Sequence, residues 1–387
     1  MKVLSVHSNY KIRGGEDESR KAEENLLEDM GHQVDRYEEN NQRIDTLHPI
    51  NAATRTIWSV EAYQILLEKL TENPYDLIHV QNFFPIISPS IYYAAKAQKT
   101  PVIQTLRNYR LLCPNALFFR DGKVCEDCMG KAVPFPGVVH ACYRESHAAS
   151  GVVAAMLTVH RTLQTWNRMV DVYIALTEFA RQKFIEGGLP SKKIVVKPNF
   201  VYPDPGKVEN KGEFALFVGR LSVEKGIDTL IAAWKQLGKS IPLKIIGEGP
   251  LENLVIEAAQ QTSSIEWLGR KPLPDVYDLM GKAKMLIFPS KWYETFGRVA
   301  VEAFAKGTPV IASKLGAIAE IVDHGRTGLH FRPGDADDLV RQVDWALKHP
   351  SRLTEMGHEA RAEFEAKYTA KENYRRLLEI YELARSQ

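Results

Sequence analysis

Short apolar runs set apart by helix-length stretches constrain the fold of this chain more than any other feature. Lys2-Val3-Leu4-Ser5-Val6 reads as a buried strand, followed by a polar loop with Gly14-Gly15 and a helical stretch from about Asp17 to Met30. Similar runs recur at residues 76–80, 101–105 and 172–176, with helical segments between them. Strands buried on both faces read as continuous apolar runs, so this pattern predicts a parallel sheet covered by helices.

The stretch after Lys197-Pro198-Asn199-Phe200 carries Pro203, Pro205, Gly206 and several charges, and is the best linker candidate. Beyond it the pattern starts afresh, with strand candidates at residues 214–218, 243–246, 285–288 and 309–312 and a helical stretch from Asp228 to Leu237. At 387 residues the chain is longer than one compact core usually grows. Two doubly wound α/β domains in tandem are expected: residues 1–200, with a Cys-rich insertion at about 107–147, and residues 201–365. Helical residues 366–387 are a candidate to pack back on the first domain. Ligands of such sheets bind beyond the carboxyl ends of the strands, so a cleft there is the expected site.

Composition limits the partners. With 44% hydrophobic and 25% charged residues and a formal charge of +2, there is no global electrostatic reason to expect nucleic acid. No run of eighteen apolar residues appears, and the first strand is followed by polar residues, not by a secretory hydrophobic region. A cytoplasmic protein is expected, with peripheral contact at the inner membrane face left open.

Two loops carry the chemistry. Val218-Gly219-Arg220-Leu221 follows a strand and Glu224-Lys225-Gly226 precedes a helix, so Arg220 and Lys225 share one strand-to-helix loop. Arg grips phosphate oxygens bidentately, Lys supplies a point charge, and glycine lets the backbone approach, which together suit a pyrophosphate. The second loop, Glu294-Thr295-Phe296-Gly297-Arg298-Val299-Ala300-Val301-Glu302, places two carboxylates eight residues apart after the strand end Phe288-Pro289-Ser290. A helix beginning near Gly297 offers free amides to a second phosphate, with Glu302 inside it and Glu294 before it.

These residues resemble the family 4 retaining glycosyltransferases of the GT-B fold, in which two Rossmann-like doubly wound domains face each other across a cleft. The resemblance covers nearly the whole chain and is carried by Gly219-Arg220 with Glu224-Lys225-Gly226, by Gly247-Glu248-Gly249-Pro250, and by the Glu294 to Glu302 run. It implies hexosyl transfer from a UDP or GDP sugar to a glycan, lipid-linked or small-molecule hydroxyl, with a place in polysaccharide biosynthesis. Arg220 and Lys225 then bind the donor diphosphate, Glu294 contacts the sugar and Glu302 holds the ribose. Gly219, Phe296, Gly297 and Arg298 belong to the same donor site. Trp267-Leu268-Gly269-Arg270 is implied to lie near the base with Arg270 at its edge, although Trp267 and Leu268 read better as core. Gly14-Gly15 matches a family loop that approaches the donor phosphates and the acceptor.

In this fold retention is explained by same-face attack, with the departing phosphate helping to remove the acceptor proton. No catalytic metal is expected. Asp335-Ala336-Asp337 superficially fits a metal-binding Asp-x-Asp motif but reads as a helix start capped by Asp335.

The acceptor side departs from the family pattern. Members commonly carry a His after the strand ending near Thr105, whereas this chain has Arg107, which cannot exchange a proton near neutrality but can clamp a phosphate or an anionic acceptor. His79 and Asn82, at another strand end, are acceptor-site candidates, and His79 is as readily a satisfied structural residue.

Cys113, Cys125, Cys128 and Cys142 fall in one thirty-residue stretch around a Cys-x2-Cys pair. Four thiolates suit a closed tetrahedral zinc that staples the loop, and Arg120-Asp121-Gly122-Lys123 reads as a tight turn. Free thiols, an iron-sulfur cluster, a redox pair and substitution of one thiolate by His140 are the competing readings. Rival functions are a nucleotide-sugar epimerase of the same architecture, which needs no acceptor, and a zinc-stapled partner-binding protein. A sugar phosphorylase needs a pyridoxal-bearing lysine and has no support here.

Overall fold

The computed structural model describes residues 1–10 and 14–386. They form two compact units. One comprises Met1–Phe118, Cys125–Pro198 and Asn373–Gln387, and the other Phe119–Val124 with Asn199–Glu372.

The amino-terminal unit is built on strands β1 (Lys2–Asn9), β2 (Gln33–Asn40), β3 (Leu77–Asn82) and β4 (Val102–Leu106). After a short hairpin of β5 (Phe119–Arg120) and β6 (Lys123–Val124), strands β7 (Val172–Ala175) and β8 (Ile194–Val196) complete its sheet. The order is β2-β1-β3-β4-β7-β8, all parallel. Asp121 and Gly122 both take positive φ, as the hairpin turn between β5 and β6 requires. The helix Gly15–Asp29 follows β1, and Leu26 and Leu27 on it are buried. The helix Ala370–Arg385 contributes Leu377, Ile380, Tyr381 and Ala384 to the same core as Val3, Leu77, Ile103 and Val172.

The second unit has strands β9 (Ala215–Val218), β10 (Leu243–Ile246), β11 (Ile265–Trp267), β12 (Met285–Phe288), β13 (Val310–Ser313) and β14 (Gly328–Phe331). Their order is β11-β10-β9-β12-β13-β14, again all parallel. The helix Ile227–Leu237 packs Leu230, Ala233 and fully buried Trp234 onto this sheet, where Trp234 Nε1 donates to Ile241 O over 2.9 Å.

Each sheet has one point where the chain, having built outward on one side of its first strand, returns to its other side. These switch points lie between β1 and β3 and between β9 and β12. Loops leaving the two strands there diverge to opposite faces and open a crevice that a ligand can enter. Among the described residues no helix is long and apolar enough to cross a membrane.

Candidate functional site

In the second unit, the loops that leave β9 and β12 meet at the switch point. Gly226 ends the first of them at φ +72°, and a Cβ there would lie 1.9 Å from Pro289 O. Only glycine lets this turn abut the strand end. Gly247 does the same for the turn after β10, where a Cβ would lie 1.8 Å from Gly219 O. The contact is then sewn together: Lys291 N–H donates to Glu224 O over 2.8 Å, and Lys291 Nζ pairs with Asp228 at 2.7 Å.

As a result Lys225 Nζ stands 2.5 Å from Glu294 Oε1. Glu294 is buried, and the same oxygen accepts from Ser290 Oγ at 2.9 Å and Trp292 Nε1 at 3.0 Å. The Lys225 ammonium also lies 5.2 Å from the Trp292 ring centroid and 6.0 Å from that of Phe288. Arg220, on the same loop, is exposed, as is Arg270.

Gly297, at φ +99°, starts the helix Arg298–Ala305. Glu302, buried on that helix, accepts from Arg298 Nε at 2.8 Å and faces the Tyr277 hydroxyl at 3.5 Å. Ser290, Trp292 and Lys225 thus hold Glu294, while Arg298 and Tyr277 hold Glu302. Phe296 is buried edge-on against Tyr368, 6.0 Å between centroids. Trp267 packs on the core and donates to Gly247 O over 3.0 Å. Ser290, Trp292 and Tyr277 were not singled out from sequence; the only signal was the position of Ser290 and Trp292 after a strand end.

In the amino-terminal unit, the ends of β1, β3 and β4 carry a buried polar network. His79 Nδ1 bonds the Tyr381 hydroxyl at 2.9 Å and Nε2 the Thr105 hydroxyl at 2.8 Å. Burial pushes its pKa down to about 4, so the imidazole is neutral. Asn82 donates to Ser8 O at 2.9 Å and accepts from Phe84 N–H at 3.0 Å. Both acceptor-site candidates are therefore hydrogen-bonded inside the unit. Arg107, buried, donates through Nε to Gln81 Oε1 at 2.8 Å, and Gln81 in turn donates to Glu23 Oε1 at 2.9 Å.

Glu23 forms a buried pair with Lys197 at 2.7 Å. Burial favours its neutral form, but Lys197, with His79 and Arg107, overrides this and takes the carboxyl down to about 2. Gly14 and Gly15 are exposed at the start of the helix after β1, where Gly14 N–H donates to Asp17 Oδ2 at 3.0 Å. Glu16 beside them is pushed up to about 7 by burial, with the Tyr10 hydroxyl 3.0 Å from Oε2.

Comparison with known proteins gives this geometry a context. Residues 27–199 match the family model described as "Glycosyl transferase 4-like domain", and residues 202–363 match "Glycosyl transferases group 1". The chain belongs to the family 4 glycosyltransferases. A Klebsiella pneumoniae protein described as an uncharacterized 42.6 kDa protein in the cps region is 26% identical over 82% of this chain and 86% of its own length. An uncharacterized glycosyltransferase of Methanocaldococcus jannaschii is 35% identical over 55% of this chain and 59% of its own. D-rhamnosyltransferase WbpZ of Pseudomonas aeruginosa is 33% identical over 41% of this chain and 42% of its own. Among solved structures, sucrose-phosphate synthase from Thermosynechococcus elongatus superposes with a TM-score of 0.73 at 18% identity, covering 98% of each chain. Anabaena HepE, solved with UDP, gives 0.68 at 18% identity, covering 98% of this chain and 99% of its own. The fold of this glycosyltransferase is the two-domain GT-B fold.

Two further sequence features resolve differently in it. Asp335 caps the helix Ala336–Lys348, accepting from Asp338 N–H at 2.9 Å, as read from sequence. The zinc staple finds no support: among the described residues no group of three or more His, Cys, Asp or Glu side chains is arranged to hold a metal. None of the four cysteines is in a disulfide among the described residues. Cys113 Sγ donates to Asn115 Oδ1 at 2.9 Å, and Cys128 Sγ faces Pro134 O at 3.7 Å. Burial raises both, and Cys128, with Cys113, Cys142 and Cys125 around it, reaches about 11.

Proposed function

We infer that this glycosyltransferase moves a hexose from a UDP or GDP sugar to an acceptor hydroxyl on a glycan, lipid-linked or small-molecule substrate, with retention at the anomeric carbon and without a catalytic metal. The observation that carries this reading is the meeting of Lys225 with Glu294 where the β9 and β12 loops abut. One cation and one carboxylate at a switch point match the two ends of a sugar diphosphate: Lys225, with Arg220, takes the phosphates, and Glu294 takes sugar hydroxyls. Amides at the start of the helix after Gly297 take the remaining phosphate charge, and Glu302 takes the ribose.

In the reaction the bond from the anomeric carbon to the diphosphate oxygen breaks as the acceptor oxygen bonds on the same face. The acceptor proton passes to the departing phosphate oxygen. Negative charge gathers on the diphosphate as the bond breaks, so Arg220, Lys225 and the backbone amides act most strongly in the transition state.

Lys225→Ala tests this. Turnover with the donor found from a panel of UDP and GDP sugars should fall about a hundredfold or more while thermal unfolding stays within a few degrees. The same assay should be unaffected by EDTA, and proton NMR should show the donor's anomeric configuration kept in the product. Near-normal turnover by the variant removes Lys225 from its role, and conversion of donor without acceptor favours the epimerase.

A further inference from the structure

Trp292 is a member of the donor-side cluster to which the roles above give no part. Its indole N–H donates to Glu294 Oε1 over 3.0 Å, and its half-buried ring lies 5.2 Å from the Lys225 ammonium. Ser290 Oγ donates to the same oxygen over 2.9 Å. That oxygen is shared between one cation on a long flexible stem and two neutral donors from its own segment. The segment is fixed in place: Lys291 is tied to Glu224 and Asp228, and Glu294 N–H donates to Trp292 O at 3.1 Å.

A diphosphate arriving at this loop competes with Glu294 for Lys225. The exchange is favourable only if Glu294, 7% exposed, keeps hydrogen bonds when the cation leaves, because a buried carboxylate stripped of partners is costly. We propose that Trp292, with Ser290 beside it, is a positioning residue that keeps Glu294 hydrogen-bonded while Lys225 passes from it to the donor diphosphate. This rests on the donor-site reading above. Ring and N–H have separate parts: the indole face holds the ammonium near the exchange, and the N–H stays with the carboxylate.

The test is calorimetric titration of UDP and GDP into the full chain. Variants are Trp292→Phe, which keeps the ring face and loses the N–H, Ser290→Ala, and each of these combined with Glu294→Gln. In the Glu294 background, Trp292→Phe and Ser290→Ala should each weaken binding about tenfold or more, as expected for losing a hydrogen bond to a charged group. In the Glu294→Gln background both losses should shrink below about threefold, since residue 294 then carries no charge to protect. A merely structural tryptophan costs the same in both backgrounds. Equal losses in the two, or unchanged binding by Trp292→Phe, overturn the proposal while leaving the donor site standing. If the unaltered chain binds neither UDP nor GDP, the donor-site reading fails and this proposal with it. Should Trp292→Phe not fold, the Ser290→Ala pair decides by the same comparison.

Discussion

Replacing Lys197 with Met asks how much of the amino-terminal unit depends on its buried charges. Lys197 Nζ lies 2.7 Å from Glu23 Oε2, with side-chain exposures of 1% and 4%. Removing the cation leaves the carboxylate with Gln81 on its other oxygen and a neutral His79 at 3.6 Å. Breaking a buried pair in this way costs about 3–5 kcal/mol. Protonation sets a ceiling: taking a carboxyl of ordinary pKa near 4.5 to its neutral form at pH 7 costs about 3 kcal/mol, so the loss should settle there. The pH dependence reverses sign. In the native chain Glu23 sits near 2, below its unfolded value, and its contribution is present above about pH 4.5 and lost as pH falls toward 2. In the variant the folded value lies above the unfolded one, so stability is greatest below about pH 4.5 and is lost as pH rises. Thermal unfolding followed by circular dichroism at pH 4.5 and pH 7 should show a deficit of about 6–12 °C at pH 7 and about a third of that at pH 4.5. Adding Glu23→Leu should restore most of the loss at pH 7. Equal deficits at both pH values, or a deficit under about 2 °C at pH 7, refute the reasoning.

Gly226→Ala should cost about 2 kcal/mol or more, because φ +72° disfavours a side chain and the new Cβ meets Pro289 O. Because it pushes the Lys225 turn away from Glu294, UDP or GDP titration should show weakened binding as well; a stable variant with unchanged binding contradicts the close approach. Glu16→Gln acts in the opposite direction. Glu16 titrates near 7 when folded, above its ordinary value, so its carboxylate erodes stability as pH rises through 7. The variant should match the native chain at pH 4.5 and exceed it by about 1–3 kcal/mol at pH 8.5 in urea unfolding.

Sequence reading found the strands that lie inside the sheets and missed the ones at their edges. β1, β3, β4, β7, β9, β10, β12 and β13 are flanked on both sides and carry enough apolar residues to stand out. β2, β8, β11 and β14 are the four edges. In β2, Gln33-Val34-Asp35-Arg36-Tyr37-Glu38-Glu39-Asn40, only Val34 and Tyr37 are buried, so no apolar run announces it, and β8 and β11 are three residues long. The donor-side loops were legible because glycine, cations and acids cluster after strand ends. Their meeting was not, since Lys225 and Glu294 are 69 residues apart and come together only through the switch in strand order. His79 could not be placed for a similar reason: its partner Tyr381 is 302 residues away. The cysteine spacing was compatible with a metal, but spacing does not say whether the side chains are arranged as ligands.

The helix Ala370–Arg385 has a consequence for synthesis. Its residues Leu377, Ile380, Tyr381 and Ala384 belong to the core that β1, β3, β4 and β7 begin, and Asn373 and Tyr381 bond Lys197 and His79. The first unit to leave the ribosome is therefore the last to close. At about 5–20 residues per second, the stretch from Pro198 to Gln387 takes about 10–40 s to make. During that time Lys197, Glu23 and His79 lack the helix that seals them, while Asn199–Glu372 is already free to fold as a contiguous segment. A premature stop a few codons before residue 373 would leave the donor-side loops whole and the amino-terminal sheet without its lining, which makes the helix Ala370–Arg385 a checkpoint on the closing of that unit.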